Sequence, residues 1–313
     1  RIVPYGALSM EPSNLALHYG QSVFEGMKAS KDKNGQTTLY RPEMHAKRIN
    51  KSAQRMCMPA IPEDLFLQAV HQLVDLDSKW VPPIKGSALY IRPFMFATDE
   101  ILGVKVSKTY KFIIFTGPVG PYYPKPVRLK AETFYVRAVK GGVGEAKAAG
   151  NYGAAMLPAY LAQQQGYDQI LWLDAVEHKY IQEVGTMNIF FRIGDTIVTP
   201  ETDGAILHGI TRDSLLRLMD KENILHEVRK ITIDEIVDAH KHGELKEIFG
   251  SGTAAVIARV SDFTYKDRTY ELNLGEEDKS MAAYLKSKID GIRFGEDEDV
   301  FDWLVPVGLK TVS

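Results

Sequence analysis

A lysine in a glycine-rich segment is the residue of this chain with the most suggestive chemistry. Lys147 stands in GGVGEAKAAGNYG, which runs from Gly141 to Gly153. A lysine is a nucleophile only as the neutral amine, so it needs burial or a cationic neighbour to lower its pKa from the ordinary value of about 10.4. The glycines would let the backbone approach a flat ligand closely. This context favours a lysine that forms a Schiff base, and the alternative is a flexible loop with a solvated lysine.

An apolar stretch farther along the chain carries an acid. Glu183 lies in IQEVGTMNIFF, from Ile181 to Phe191. An unpaired carboxylate among these side chains would have a high desolvation cost, so we expect it to have a cationic partner. A protonated pyridine nitrogen could be that partner. The alternative is a glutamate at the edge of a strand, in solvent.

Other polar groups could complete a site around such a ligand. Tyr152 could bind a phenolic oxygen, although a tyrosine at a helix entrance usually packs. Thr211 at a helix start and the Ser251-Gly252-Thr253 turn offer hydroxyl and amide groups to a phosphate. Arg48 could add a bidentate contact, although an exposed helical arginine fits the sequence equally well. A lysine, an acid, a phenol and phosphate-binding groups are together what a pyridoxal phosphate enzyme requires.

The elements that must position these groups are a mixture of helices and strands, so we predict a mixed α/β fold. Helical periodicity and start signals predict helices over residues 42–56, from Pro62 onward, over 154–165 and 210–222, after the Thr232-x-x-Glu235 capping box, and over 278–290. Aromatic and β-branched runs predict strands over residues 87–96, 110–116, 133–137 and 169–174.

Length and proline content predict two domains. A chain of 313 residues that is 45% hydrophobic exceeds the usual size of one core. GPVGPYYPKP, residues 117–126, holds four prolines and is the best candidate for an interdomain linker. We therefore expect a small N-terminal α/β domain over residues 1–125 and a larger domain that binds the cofactor over residues 126–313.

Charge and composition argue against several classes of partner. A net charge of −2 with interspersed basic residues provides no stripe for a nucleic acid. No apolar run approaches the roughly 18 residues of a membrane span, and no histidine–carboxylate cluster has metal-ligand spacing. One cysteine, Cys57, fits a reducing compartment. We expect a cytoplasmic protein without nucleic-acid, membrane or metal partners; the chain begins at Arg1, which leaves open a preceding segment.

Seven segments occurring in a fixed order carry a family resemblance. They are HYGQSVFEGMKA, LYIRP, LGVK, GPVGPYY, KAAGNYG, EVGTMN and FGSGTA. On these motifs the chain resembles the branched-chain amino acid aminotransferases, class-IV aminotransferases with the fold called type IV among pyridoxal phosphate enzymes. The resemblance implies a homodimer of two-domain subunits, with a pseudo-barrel sheet in the larger C-terminal domain. It also implies amino transfer between L-leucine, L-isoleucine or L-valine and 2-oxoglutarate, which gives branched-chain 2-oxo acids and L-glutamate.

The resemblance assigns roles to individual residues. It implies Lys147 as the Schiff-base lysine and proton shuttle, Glu183 at the pyridine nitrogen and Tyr152 at the phenolic oxygen. The other residues that it places around the cofactor are Arg48, Arg137, Ile210, Thr211 and Thr253. The substrate residues that it implies are Tyr19, Phe24, Tyr90, Arg92, Tyr122, Thr186 and Ala254, with Arg92 as the partner of a distal carboxylate. Leu102 and Val104 resemble residues that reach across a dimer interface.

Two other functions fit part of this pattern. D-amino acid transaminases and aminodeoxychorismate lyases resemble the same fold and share the lysine and the glutamate, but LYIRP and GPVGPYY argue against both. A catalytically inactive binding protein on the same scaffold would have no need of lysine, acid, tyrosine and phosphate-binding groups together.

Overall fold

The computed structural model describes residues 1–120 and 125–308. The chain divides into two compact units. The first unit contains Arg1–Pro121, Ala146–Gly150 and Asp290–Ser313, and the second contains Tyr122–Glu145 and Asn151–Ile289. The segment around Lys147 and the C-terminal residues thus belong with the N-terminal region, which no shift in composition indicates.

The helices and strands are numbered in chain order. From the N-terminus these are α1 (Leu15–Tyr19), β1 (Ser22–Phe24), β2 (Met27–Lys31), β3 (Thr37–Tyr40), α2 (Pro42–Arg55), α3 (Glu63–Leu76), β4 (Ala88–Ala97), β5 (Tyr110–Val119), β6 (Val127–Ala131), α4 (Ala149–Ala154), α5 (Met156–Gln164) and β7 (Gln169–Leu173). They continue with β8 (Ile181–Val184), β9 (Asn188–Ile193), β10 (Thr196–Thr199), α6 (Ile210–Lys221), β11 (His226–Val228), α7 (Ile233–Lys241), β12 (Leu245–Gly252), β13 (Val256–Tyr265), β14 (Arg268–Glu271), α8 (Met281–Arg293) and β15 (Leu304–Pro306). Among the described residues, no helix combines the length and the apolar character that crossing a membrane requires.

The first unit is built on a six-stranded antiparallel sheet in the order β1-β4-β2-β3-β15, with β5 on the other edge of β4. Its core joins the sheet to α2 and α3 through fully buried side chains such as Met27, Ile49 and Phe66. β1 and β2 pair with the same edge of β4, in the registers Phe24↔Phe94 and Met27↔Ile91. Glu25 and Gly26, the two residues between these strands, lie where the pairing with β4 is interrupted.

The second unit is built on a nine-stranded sheet in the order β11-β10-β9-β12-β13-β6-β7-β8, with β14 paired to β13. β6 pairs in parallel with both β13 and β7, as β10 does with β11. Its core is rich in aliphatic residues, because most of its strands are buried on both faces. In the antiparallel pair β9–β12, Asn188 lies opposite Ser251.

Several local predictions are confirmed. α2 has Pro42 in its first turn, and the helix at residue 210 runs from Ile210 to Lys221. At α7 the Thr232 hydroxyl accepts the amide hydrogen of Glu235 at 3.1 Å. The carboxylate of Glu235 does not return the contact; it pairs with Arg229 at 2.6 Å.

One local prediction is wrong. The strand expected over residues 133–137 lies earlier, at β6, because one carboxylate oxygen of Glu132 accepts the amides of residues 133, 134 and 135 and so takes those donors out of any ladder. The segment expected as a linker, residues 117–126, overlaps the end of β5, where Pro118 pairs with Leu89, and the division between the two units falls inside it. A proline is tolerated at position 118 because β5 is an edge strand.

Candidate active site

The first unit fixes Lys147 through its main chain. The amide of Lys147 donates to Oγ of Ser52 on α2 at 2.9 Å, and its carbonyl oxygen accepts the amide of Phe24 on β1 at 3.1 Å. Next to it, Ala148 forms an antiparallel bridge with Val23. A helix and a strand therefore hold the backbone on which the reactive side chain stands.

The environment of the Lys147 amine makes its neutral form more accessible than in an ordinary lysine. Nζ lies 4.5 Å from the centroid of the Phe24 ring. Burial, helped by the positive charge of Arg48, lowers the pKa of Lys147 to about 8, against the opposing influence of Glu25. This is the condition that nucleophilic chemistry requires of a lysine.

A buried ion pair lies beside this lysine. The carboxylate of Glu25 accepts hydrogen bonds from Arg48, with Nε to Oε1 at 2.7 Å and Nη2 to Oε2 at 2.9 Å. Nδ1 of His45 lies 2.7 Å from Oε2. Glu25 is fully buried, and although burial raises its pKa, Arg48 and His45 outweigh this and hold the pKa well below its usual value. Burial in turn lowers the pKa of His45, which favours the neutral imidazole.

The substrate residues expected on β1 and β4 also come together in the first unit. The guanidinium carbon of Arg92 lies 4.8 Å from the Phe24 ring centroid and 5.2 Å from the Tyr90 ring centroid, and Nη2 donates to the Tyr90 hydroxyl at 2.9 Å. A Cβ at Gly26 would clash with that hydroxyl, so any other residue there would displace the Tyr90 side chain. Tyr19 is exposed at the end of α1, where its ring contacts His18.

The acid of the second unit has a cationic partner. Oε2 of Glu183 lies 2.6 Å from Nη2 of Arg137, and both side chains are more than nine-tenths buried. Oε1 accepts the amide of Leu207 at 2.8 Å and Nδ2 of Asn188 at 3.2 Å. The sequence predicts that a buried Glu183 needs positive charge, and in the structure Arg137 supplies it. The same guanidinium nitrogen donates to the carbonyl oxygen of Ala205 at 3.1 Å, which anchors it.

An anion-binding arrangement adjoins this acid within the second unit. A Cβ at Gly209, the residue before α6, would lie 1.9 Å from Oδ1 of Asn188, so the start of α6 closely approaches Asn188. Amides in the first turn of a helix have no acceptor within the helix and stabilise an anion. Ser251, opposite Asn188, has a buried hydroxyl without a hydrogen-bond partner in residues 1–120 and 125–308. The Ser251 hydroxyl is thus available as a donor to a phosphate.

The remaining predicted residues differ in exposure. Ile210 and Thr211 are buried in the first turn of α6, Tyr152 is partly buried on α4, and Thr253 and Ala254 lie partly buried in the turn between β12 and β13. Thr186 is exposed in the turn between β8 and β9. Leu102 and Val104 are the most exposed of the set, at 82% and 85%. Tyr122 lies outside the described residues.

The turn between β12 and β13 carries backbone strain. Val256, the first residue of β13, has φ of 61°, in the left-handed region that a β-branched residue rarely adopts. Such strain persists only where the surrounding structure holds it in place, and it is frequent in turns that bind ligands. Thr253 and Ala254 lie three and two residues before Val256.

Sequence reasoning misses three residues of these arrangements. Glu25 and His45 are part of the Arg48 pair, and Asn188 connects Glu183 to the start of α6. A signal exists for His45, which shares the buried face of α2 with Ile49 and Ser52 at helical spacing. The partners of Glu25 lie 20 and 23 residues away in sequence, so no local pattern indicates those contacts.

Comparison with known proteins identifies the family. The family model described as "Amino-transferase class IV" matches residues 22–263. The "Branched-chain-amino-acid aminotransferase 2" of Bacillus subtilis (strain 168) is 47% identical over 316 residues, which cover 100% of this chain and 87% of that protein.

Solved structures show the same fold. The T.th. branched-chain amino acid aminotransferase complexed with N-(5'-phosphopyridoxyl)-L-glutamate matches with a TM-score of 0.81 at 26% identity, over 97% of this chain and 95% of that chain. The same enzyme complexed with 4-methylvaleric acid matches with a TM-score of 0.80 at 26% identity, over the same shares of 97% and 95%. The mixed α/β fold of type IV and the resemblance to branched-chain aminotransferases are confirmed, and the chain belongs to the class IV aminotransferase family.

Proposed function

We propose that this protein is a pyridoxal phosphate-dependent aminotransferase that moves the amino group of L-leucine, L-isoleucine or L-valine to 2-oxoglutarate. The observation that carries the proposal is Lys147, whose backbone is fixed and whose pKa is lowered to about 8. A lysine with a lowered pKa suits the aminotransferase activity for which the similar protein of Bacillus subtilis is named. A lysine on a solvated loop would have neither property.

The residues of the chain fit this cofactor. The Ser251 hydroxyl, which has no hydrogen-bond partner in the described part of the chain, and the N-terminus of α6 suit a phosphate. The other candidates for binding the phosphate are Ile210, Thr211, Thr253 and Arg48. Lys147 would hold the aldehyde carbon, Glu183 the pyridine nitrogen and Tyr152 the phenolic oxygen, with Arg137 acting through Glu183. When bound, the cofactor acts as an electron sink for the charge that develops at the substrate Cα.

Lys147 and Glu183 would share the acid–base chemistry. The amine of Lys147 would take up the proton of the substrate Cα, and a pKa near 8 suits it to both take up and release a proton. Glu183 would accept from the protonated ring nitrogen, and the contacts with Arg137, Asn188 and the Leu207 amide hold its carboxylate in position for this.

The residues of β1 and β4 would bind both kinds of substrate. The faces of Phe24 and Tyr90 suit an aliphatic side chain, in which each buried CH₂ contributes about 0.8 kcal/mol. Arg92 offers a planar fork to the distal carboxylate of glutamate or 2-oxoglutarate. Its contact with the Tyr90 hydroxyl lets it rest within the site when an apolar side chain is bound. Tyr19, Tyr122, Thr186 and Ala254 complete the proposed substrate set.

The proposal includes a cytoplasmic homodimer. Leu102 and Val104 expose most of their apolar surface, which supports a role at a subunit interface. Sedimentation of the wild type and of a Leu102→Asp, Val104→Asp double variant tests this part, and an unchanged dimer in the variant would remove these residues from the interface.

A panel of amino donors tests the proposed reaction. The purified protein, loaded with pyridoxal phosphate, is given L-leucine, L-isoleucine, L-valine or D-alanine with 2-oxoglutarate, and glutamate formation is measured. We expect activity with the three L-amino acids. Activity with D-alanine alone would point to a D-amino acid transaminase, and activity with none of the four would contradict the proposal.

A further inference from the structure

A buried acid in the first unit has no role in the chemistry proposed so far. Glu25 lies between β1 and β2, where its amide donates to the carbonyl oxygen of Pro93 at 2.7 Å. Its side chain has no exposed surface. A carboxylate in this position is costly unless it is fully paired, so its presence needs a reason.

The contact with Arg48 fixes an orientation. Nε and Nη2 each donate to a different oxygen of Glu25, at 2.7 and 2.9 Å, so the guanidinium and carboxylate planes are coupled at two points. Only 10% of the Arg48 side chain is exposed. An arginine held in this way loses less conformational freedom when a ligand binds than one that is free to rotate.

His45 in turn holds the carboxylate. Its Nδ1 lies 2.7 Å from Oε2, and His45 and Arg48 stand three residues apart on the same face of α2. The amide of Gly26 adds a contact to Oε2 at 3.2 Å. The helix thus supplies both partners of the acid, and the gap between the two strands supplies the acid.

The net charge of Glu25, Arg48 and His45 determines how strongly this group attracts an anion. Glu25 as a carboxylate, Arg48 as a cation and His45 as a neutral ring sum to zero, so this group attracts an anion only weakly through net charge. Removal of the Glu25 charge would make the surroundings of Arg48 more positive, which on charge alone would tighten the binding of a phosphate. Orientation and charge therefore predict opposite outcomes.

We propose that Glu25 and His45 are positioning residues, which hold the Arg48 guanidinium in the orientation that binds the phosphate group of the cofactor. The inference rests on the proposed function, which assigns that phosphate to Arg48. In this arrangement Glu25 weakens the net charge at Arg48 but fixes its donors, and the gain from orientation is the larger effect.

The test compares pyridoxal phosphate with pyridoxal, which lacks the phosphate. Both are titrated into the cofactor-free protein by absorbance, and the dissociation constant of pyridoxal divided by that of pyridoxal phosphate isolates the contribution of the phosphate; weaker binding of the phosphate lowers this ratio. Effects on Lys147 act on both ligands and leave the ratio unchanged. In Glu25→Gln we expect pyridoxal phosphate to bind at least about tenfold more weakly with pyridoxal unaffected, the size of one lost contact to a charged group. A ratio that stays the same or shifts toward tighter phosphate binding would overturn the inference.

Two further variants separate the possible failures. His45→Gln keeps the charge of Glu25 and should lower the ratio in the same direction by a smaller factor; it also serves if Glu25→Gln does not fold. Arg48→Ala should lower the ratio most, and adding Glu25→Gln to it should change the ratio no further. An unchanged ratio in Arg48→Ala would remove Arg48 from the phosphate and contradict that part of the proposed function. A lowered ratio there with wild-type ratios in Glu25→Gln and His45→Gln would refute the positioning role alone.

Discussion

Each unit contains a buried arginine–carboxylate pair, and the two pairs are built differently. In the first unit Glu25 is held by the side chains of Arg48 and His45, with both oxygens engaged by the arginine fork. In the second unit Glu183 meets Arg137 through one oxygen, while the other accepts from a backbone amide and Asn188. The first arrangement orients the arginine, whereas the second orients the carboxylate. We therefore expect Glu25 to act on cofactor affinity and Glu183 on turnover.

The largest effect should come from the lysine beside the first pair. Lys147→Ala removes the proposed nucleophile and proton carrier, so turnover should fall by at least about 10³-fold, while binding of pyridoxal phosphate stays measurable. Steady-state kinetics and absorbance titration measure the two quantities. Lys140→Ala, at an exposed position on the same stretch of chain, is the matched control and should retain activity. Normal turnover in Lys147→Ala would contradict the assignment.

Stability should show how firmly the first pair is buried. Glu25→Ala leaves the Arg48 and His45 partners without their acid, and breaking a buried pair from one side typically costs about 3–5 kcal/mol. Lys85→Ala removes an exposed ion pair of the same unit, between Lys85 and Glu296, and should cost less than about 1 kcal/mol. Urea denaturation of the cofactor-free proteins measures both. Equal, small losses in the free energy of unfolding of the two variants would show that Glu25 does not form a buried ion pair with Arg48.

Turnover should separate the two acids. Glu183→Gln removes the charge that we propose to face the ring nitrogen, so the rate should fall at least about tenfold, or about 1.4 kcal/mol in the barrier. Under saturating cofactor, Glu25→Gln should reduce the rate less than Glu183→Gln. Glu227→Gln, at an exposed ion pair in the second unit, is the control. A larger loss of rate in Glu25→Gln than in Glu183→Gln would reverse the comparison.

The smallest effect concerns pH. The pKa of His45 lies below its usual value of 6.5, so the stability contributed by the neutral ring is present above pH 6.5 and is lost as pH falls through the lowered pKa. The pKa of Glu25 lies below 4.5, so its contribution is lost only at still lower pH. Urea denaturation across this range should show a flatter profile in His45→Gln than in the wild type. Parallel profiles would mean that His45 is not buried as a neutral ring.

The two pairs also differ in how far the sequence predicts them. Glu183 stands out because it interrupts a run of apolar residues, and its need for positive charge follows from desolvation. Glu25 lies in a shorter apolar context and next to Gly26, where a turn is an equally good interpretation. Its partners stand 20 and 23 residues away, so only the pairing of β1, β2 and α2 reveals the group.

In the fold, too, features with local sequence signals are predictable and those that depend on tertiary contacts are not. α2, α6 and the cap of α7 are predictable because their signals are local. The strand expected at residues 133–137 is displaced by the contacts of Glu132 with three amides, a competition that propensity does not reveal. The inclusion of Ala146–Gly150 in the first unit depends on tertiary contacts to Ser52 and Phe24.

The central claim is that Lys147, held by α2 and β1, carries the cofactor. Borohydride reduction of the protein loaded with pyridoxal phosphate, followed by mass mapping of its peptides, tests this directly. The account predicts a pyridoxyl group on Lys147, in the peptide that contains KAAGNYG. A stoichiometric pyridoxyl group on any other lysine would contradict it.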